Sequence, residues 1–259
     1  MKHAVLAAAA LALAAALPSL AAAQVAPEVS AAVADERRPD ADRARDGNRK
    51  PAEIVAFAGV EAGHKIAEIA PGGGYYTRVL AAAVGPQGKV YALMPAFFAN
   101  RPGGLDAINA LAEQYGNIEV VVIDYAATEL PEAVDLVWTT ENYHDLANGD
   151  IAQVNTWVFR ALKPGGAYFV EDHAAPGTGT SATSTLHRID PEAVKQQVQS
   201  AGFSLEAESD LLHNPNDPHD VSPREVQPTS DKFALRFRKP DWSAALRHKG
   251  VNVGEAKSF

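Results

Sequence analysis

A glycine turn between a strand-like run and a helix-like run constrains this chain most. Residues 66–77 read Ile66-Ala67-Glu68-Ile69-Ala70-Pro71-Gly72-Gly73-Gly74-Tyr75-Tyr76-Thr77. Glycine lets the backbone turn tightly and lets a ligand approach the main-chain N–H groups. The start of the following helix adds a positive dipole end. In open α/β sheets, ligands bind at this kind of place, beyond the carboxyl ends of the strands. No Lys-Ser or Lys-Thr follows Gly74, so the turn is not a P-loop.

The alternation continues downstream. Strands are predicted over 65–70, 89–94, 118–123, 134–139, 167–170, 205–208 and 233–237. Helices are predicted over 51–57, 75–84, 105–115, 150–162 and 191–200, with Pro51 in the first turn of one and Asp190 capping another. Strands joined by helical crossovers make a mostly parallel sheet covered on both faces. The expected fold is therefore α/β: a doubly wound, mostly parallel seven-stranded sheet with an antiparallel edge strand. The stretch 212–230, rich in Pro, Asn, Asp and Ser, is long for a structureless connection and reads as functional or disordered.

The ends of the chain read differently. Residues 1–23 begin with Lys2, continue as an Ala/Leu run and close on Ala21-Ala22-Ala23, the pattern of a secretory signal peptide. Cleavage after Ala23 and export, to a bacterial periplasm or beyond, are expected, with no stable membrane insertion afterwards. Residues 24–49 are polar, charged and interrupted by Pro27 and Pro39, and read as a solvated lead-in, with a lid over a pocket as the alternative. Residues 50–240 form the main domain, and 241–259 a tail. With 32 acidic against 23 basic residues, the formal charge is −9, which disfavours phosphate backbones, so no nucleic-acid partner is expected. The absence of cysteine excludes disulfides, thiolate metal sites and thiol catalysis.

Beyond the glycine turn, three further segments fall in order: Asp124 after the third strand, Asp135-Leu136-Val137, and Arg160-Ala161-Leu162-Lys163-Pro164-Gly165-Gly166 entering the fifth. This set resembles the class I S-adenosylmethionine-dependent methyltransferases, over roughly Pro51 to Arg238. Ala70-Pro71-Gly72-Gly73-Gly74-Tyr75, Glu141-Asn142-Tyr143-His144-Asp145, Glu171-Asp172-His173, Asn214-Pro215-Asn216-Asp217 and Thr229-Ser230-Asp231-Lys232-Phe233 resemble an exported subgroup of predicted methyltransferases. The resemblance implies a Rossmann-like methyltransferase fold and S-adenosylmethionine as cofactor. It implies that Glu68 faces the methionine part, and that Ala70, Gly72, Gly73 and Gly74 form the close-approach loop. Asp124 would bond the adenine amino group, Tyr125 would pack on the ring, and Glu141 and Asn142 would lie by the acceptor. Two positions depart from the family pattern. Ala70 replaces a glycine. Met94 stands where the second strand normally ends in an acid that holds the ribose hydroxyls. Loss of that charge-assisted contact costs about 1.5–3 kcal/mol.

Methyl transfer needs alignment, exclusion of water and, for some acceptors, a base. His144 is the candidate base because its reference pKa lies near neutrality. Tyr143 is placed to orient an acceptor and Asp145 to fix a histidine tautomer. Asp172 and His173 fall at the end of the neighbouring strand, with His187 at the same mouth. No tight ligand spacing such as His-Glu-x-x-His is present, so no resident metal is assigned. The expected function is an exported methyltransferase of a small molecule. The alternatives are a methyltransferase fold with lost or altered cofactor use, acting as a hydrolase or lyase, or as a non-catalytic small-molecule binder.

Overall fold

A computed structural model describes residues 24–226 and 228–241. The expected signal peptide, and the expected tail after Asp241, lie outside the described residues. Three short helices, α1 (Pro27–Val33), α2 (Asp40–Arg43) and α3 (Asp46–Arg49), precede α4 (Pro51–Ala58). Then follow β1 (Lys65–Ile69), α5 (Tyr75–Val84), β2 (Lys89–Pro95), α6 (Ala96–Ala99), α7 (Asp106–Tyr115), β3 (Ile118–Ile123) and β4 (Val134–Thr140). The second half comprises α8 (Tyr143–Leu146), α9 (Ile151–Ala161), β5 (Leu162–His173), α10 (Thr183–Leu186), α11 (Pro191–Ser200), β6 (Ser204–Ser209) and β7 (Lys232–Arg238). Among the described residues, no helix is long and apolar enough to cross a membrane.

The strands form one seven-stranded sheet in the order β3-β2-β1-β4-β5-β7-β6. The pairs among β1 to β5 are parallel, while β7 runs antiparallel to both β5 and β6. The expected doubly wound sheet is present, with its antiparallel strand one in from the edge. Alternation along the strands splits the core in two. Ile66, Val90, Ala92, Leu136, Trp138 and Phe169 pack beneath α4 and α5 on one face. Ala67, Ile69, Leu93, Val137, Tyr168 and Val170 pack beneath α9 and α11 on the other. Side chains two apart on a strand share a face, so a strand buried on both sides reads as a continuous apolar run.

The structure departs from the sequence reading at three places. First, β5 starts at Leu162 rather than at Ala167, and residues 163–166 bulge out of it. Val134 pairs with Leu162 and Leu136 with Ala167, so the partner strand advances five residues against two. A side chain on Gly166 would press within about 3.0 Å of Leu162, Lys163 and Asp135 atoms, which explains the glycine.

Second, residues 24–49 are folded onto the domain rather than solvated. Val29 and Ala32, three apart on α1, are buried against α5. Arg38 is buried and donates two hydrogen bonds to the Asp46 carboxylate, at 2.6 and 2.9 Å. Tyr75, at the start of α5, donates to the same carboxylate at 2.6 Å. The charges that suggested a solvated segment are paired with each other and with α5.

Third, the 212–230 connection is tied down. Arg188 is fully buried, pairs with Asp217 at 2.9 Å and donates to the carbonyls of Ala174 and Val221. Asp231 accepts from the backbone of Asn214 at 2.7 Å and contacts His213 and His219 at 2.9 and 2.8 Å. Removing one partner from a fully buried ion pair is expensive. Arg188→Ala is expected to lower the unfolding free energy by about 3–5 kcal/mol in denaturant titrations. It should also open residues 212–230 to limited proteolysis at temperatures where the parent resists.

Candidate active site

Two adjoining cavities lie at the carboxyl ends of β1, β4 and β5. The smaller, of about 190 Å³, is built on the glycine turn. Strand β1 carries Glu68 into its floor with 2% of its surface exposed. The Glu68 Oε2 has no hydrogen-bond partner, and burial pushes the carboxyl up to about 7, against opposing pulls from Thr77 and Arg78. A buried acceptor without a donor is uncommon and suits a cationic ligand group. Gly72 and Gly73 line the same cavity, and a Cβ at either would meet nothing within 4 Å. That open space lets a ligand lie on the backbone.

Gly74 does not line the cradle. It sits at φ 78° before α5, and a Cβ there would come within 2.6 Å of Leu111. The missing side chain lets α5 pack closely against α7. Ala70 keeps the left-handed turn that a glycine normally takes, at φ 50°. The Asn142 side-chain amide donates to the carbonyls of Ala70 and Thr140, at 3.2 and 2.6 Å. Asn142 therefore braces the turn while lining the cradle.

The adenosine end expected from the resemblance is arranged differently. Met94, near the end of β2, is buried in the core. Asp124 is exposed, and its carboxylate accepts from the Ala126 backbone at 2.9 Å. Tyr125 is half-buried and packs edge-on against Trp157, 5.6 Å between ring centres. None of the three lines either of these two cavities. Asp124 is occupied in capping its own turn, a local arrangement that strand order alone does not reveal.

The larger cavity, of about 780 Å³, brings together His144, Asp145, His173, His187, Glu141 and Lys232 under the 222–230 segment. Asp172 is fully buried at the end of β5 and organises this side. It accepts from the backbone N–H groups of His144 and His173, each at 2.7 Å, and meets His144 Nδ1 at 2.8 Å. A carboxylate here favours a proton on Nδ1 and leaves Nε2 as the acceptor facing the cavity. Burial pulls the His144 pKa down, but the bond and charge of Asp172, aided by Asp145 and Glu141, hold it above the usual 6.5. His173 touches Ser230 Oγ at 2.8 Å, and burial lowers its pKa to about 4, so it is neutral near pH 7. Tyr143, expected to orient an acceptor, is fully buried in the core, and its hydroxyl accepts from Asn155 at 2.9 Å. The first turn of α8 directs Tyr143 inward and His144 toward the cavity.

Glu141 stands where the two cavities meet, in a left-handed conformation at φ 55°. Arg49 and Lys232 each hold its carboxylate at 2.6 Å. Burial alone would raise its pKa, but these two cations keep it ionised well below the usual carboxylate range. Glu171, fully buried alongside, is pushed by burial up to about 7, with the Glu141 charge adding to the effect and Lys232 opposing it. Sequence reasoning missed Arg49 and Lys232. Lys232 faces His173 across the β5–β7 ladder, and its place before the apolar run Phe233-Ala234-Leu235 was a usable signal. Arg49 meets Glu141 only through the docking of the N-terminal helices, and no local pattern marks it.

Residues 66–166 match the family model of the methyltransferase domain. No curated protein sequence matches the chain. Among solved structures, a SAM-dependent methyltransferase from Aquifex aeolicus superposes with a TM-score of 0.57 at 16% identity, covering 79% of this chain and 100% of that one. One from Mesorhizobium loti gives 0.55 at 17% identity, covering 74% and 99%. The [4+2]-cyclase SpnF gives 0.55 at 16%, covering 80% and 84%. Residues 66–166 are thus similar to a methyltransferase domain, and the chain has the fold of the class I S-adenosylmethionine-dependent methyltransferases.

The buried Glu68 has a measurable consequence without any ligand. Its folded pKa, about 7, lies above the 4.5 of an ordinary glutamate. The unfolded chain therefore ionises first, and stability present below pH 4.5 is lost as pH rises to about 7. Glu68 accounts for about 3 kcal/mol of that loss. Glu68→Gln is expected to remove this part of the slope in urea titrations run from pH 4.5 to 8. An unchanged slope would mean that Glu68 is not held in a dry environment.

Proposed function

We propose that this protein is an exported S-adenosylmethionine-dependent methyltransferase acting on a small-molecule acceptor. The observation that carries the reading is the meeting of two unlike cavities at Glu141. One is a glycine cradle with an unpartnered buried carboxylate, and the other is a larger chamber with an oriented histidine. S-adenosylmethionine supplies an electrophilic methyl group on a sulfonium. Glu68 fits its ammonium by charge and by its free acceptor, and the backbone at Ala70 to Gly73 fits close approach of its methionine part. Arg49 and Glu141 beside the cradle are paired with each other, so Glu68 is the principal ionic anchor.

The protein's own part in transfer is positional. The acceptor occupies the larger chamber, its nucleophilic atom toward Glu141 and the cradle. His144 Nε2 takes the proton that an O–H or N–H acceptor gives up, while Asp172 stabilises the imidazolium without being protonated itself. Arg49, bonded to Glu141, closes the N-terminal side of the chamber against water. Export follows from the signal-like residues 1–23, with cleavage after Ala23.

Calorimetry with S-adenosylmethionine and its demethylated product tests the reading directly. Binding should release a proton below pH 7, because the ligand's ammonium favours ionised Glu68, so affinity should climb with pH until about 7. Glu68→Gln should weaken binding about ten- to a hundredfold. His144→Ala should leave cofactor binding intact and slow turnover about 10²–10⁴-fold once an acceptor is found. Failure of both ligands to bind at millimolar concentration would remove the methyltransferase reading. Cell fractionation with N-terminal sequencing checks export and the Ala23 cleavage.

A further inference from the structure

We propose that His144, Asp145 and His187 form a binding site for one divalent transition-metal ion of the zinc class in the wall of the larger cavity. One ligand atom from each of these residues lies within 4.8 Å of the other two. His144 Nε2 and His187 Nδ1 are each 3.5 Å from the same Asp145 oxygen. A tetrahedral ion with bonds of about 2.0–2.1 Å requires ligand atoms about 3.3 Å apart. Two of the three edges are therefore within a small side-chain rotation of the required length.

Three features make this more than a chance encounter of polar groups. First, His144 already has the partner that metal-bound histidines carry. The buried Asp172 holds the Nδ1 side at 2.8 Å, which fixes the ring and presents the Nε2 lone pair to the cavity. Second, the imidazole rings of His144 and His187 converge from separate segments, with centroids 5.5 Å apart, although neither residue donates to the other. Third, the set leaves coordination positions open toward the 780 Å³ chamber. Two imidazoles and one carboxylate suit zinc, iron or cobalt, whereas magnesium and calcium prefer all-oxygen surroundings.

This inference goes beyond the methyl-transfer reading and does not depend on it. An ion on Nε2 takes the lone pair that would otherwise accept a proton. In that form, an oxygen or nitrogen donor of the cavity's ligand binds the metal and is made more acidic by it. The ligands come from α8 and from the residue that ends α10, so the site also ties two neighbouring segments together. No sequence spacing reveals it, because His187 follows Asp145 only after β5 has crossed the sheet.

The test uses the full exported chain, stripped with chelator and desalted, then titrated with Zn²⁺ by calorimetry and with Co²⁺ by visible absorption. One ion per chain at micromolar or better affinity is expected, with cobalt bands of low coordination number. His187→Ala, at an exposed position that does not endanger folding, and Asp145→Asn should each weaken binding about tenfold or more. His213→Ala, on the separate Asp231 cluster, should leave the affinity unchanged. Absence of micromolar binding overturns the proposal. So does binding that survives both His187→Ala and Asp145→Asn, or that is lost in His213→Ala. Calorimetry with S-adenosylmethionine on the same stripped protein reads the methyltransferase proposal separately, so either can fail alone.

Discussion

Burial of the sheet on both faces governs where chemistry can occur in this protein. The central strands β1, β4 and β5 are apolar on both sides, so polar side chains have no place along their length. They appear where the strands end: Glu68 near the end of β1, Glu141 just past β4, and Glu171, Asp172 and His173 closing β5. An unpaired charge in such a place is strongly disfavoured. Every carboxylate on this rim is therefore held by a cation, held by N–H groups, or pushed toward protonation. Glu141 takes the first course through Arg49 and Lys232, Asp172 the second, and Glu68 and Glu171 the third.

Those three solutions divide the rim into regions of different character. Glu141, doubly paired, is a fixed charge and a partition. Asp172, satisfied by two backbone N–H groups as well as an imidazole, is a rigid support that makes His144 directional. Glu68 keeps an unused acceptor, as Glu171 does, but Glu68 lies on the glycine cradle where a positively charged ligand group has access. The division matches what a transferase requires: one place that binds by charge and backbone, and another that binds by shape and moves a proton. A methyltransferase fold by itself does not fix that assignment, since a [4+2]-cyclase shares it.

The N-terminal segment and the 212–230 connection add walls to the chamber at the rim. Neither belongs to the repeating strand–helix pattern. The first is fastened by Arg38 and Asp46 onto Tyr75, and the second by Arg188 onto Asp217. Both fastenings are ion pairs with a buried arginine, which combine a fixed charge with a planar set of donors able to satisfy several acceptors at once. In each case the chain beyond the arginine supplies a wall of the chamber, Arg49 on one side and Ser230 on the other.

The sequence alone determined the strand–helix alternation, the glycine turn and the location of the candidate chemistry, because each is written in neighbouring residues. Continuous apolar runs, a helix stop at glycine and a histidine two residues after Asn142 are all local facts. Tertiary structure decided which of those residues act. It sent Tyr143 into the core and His144 into the chamber, turned Asp124 back onto its own loop, and packed Gly74 close against Leu111. It also brought Arg49 to Glu141, and His187 to Asp145, across segments that no window along the chain would join. Side-chain direction, and pairing between distant charges, depend on how whole elements dock. That information resides in the packed core and in the satisfaction of its buried polar groups, not in any short stretch of residues.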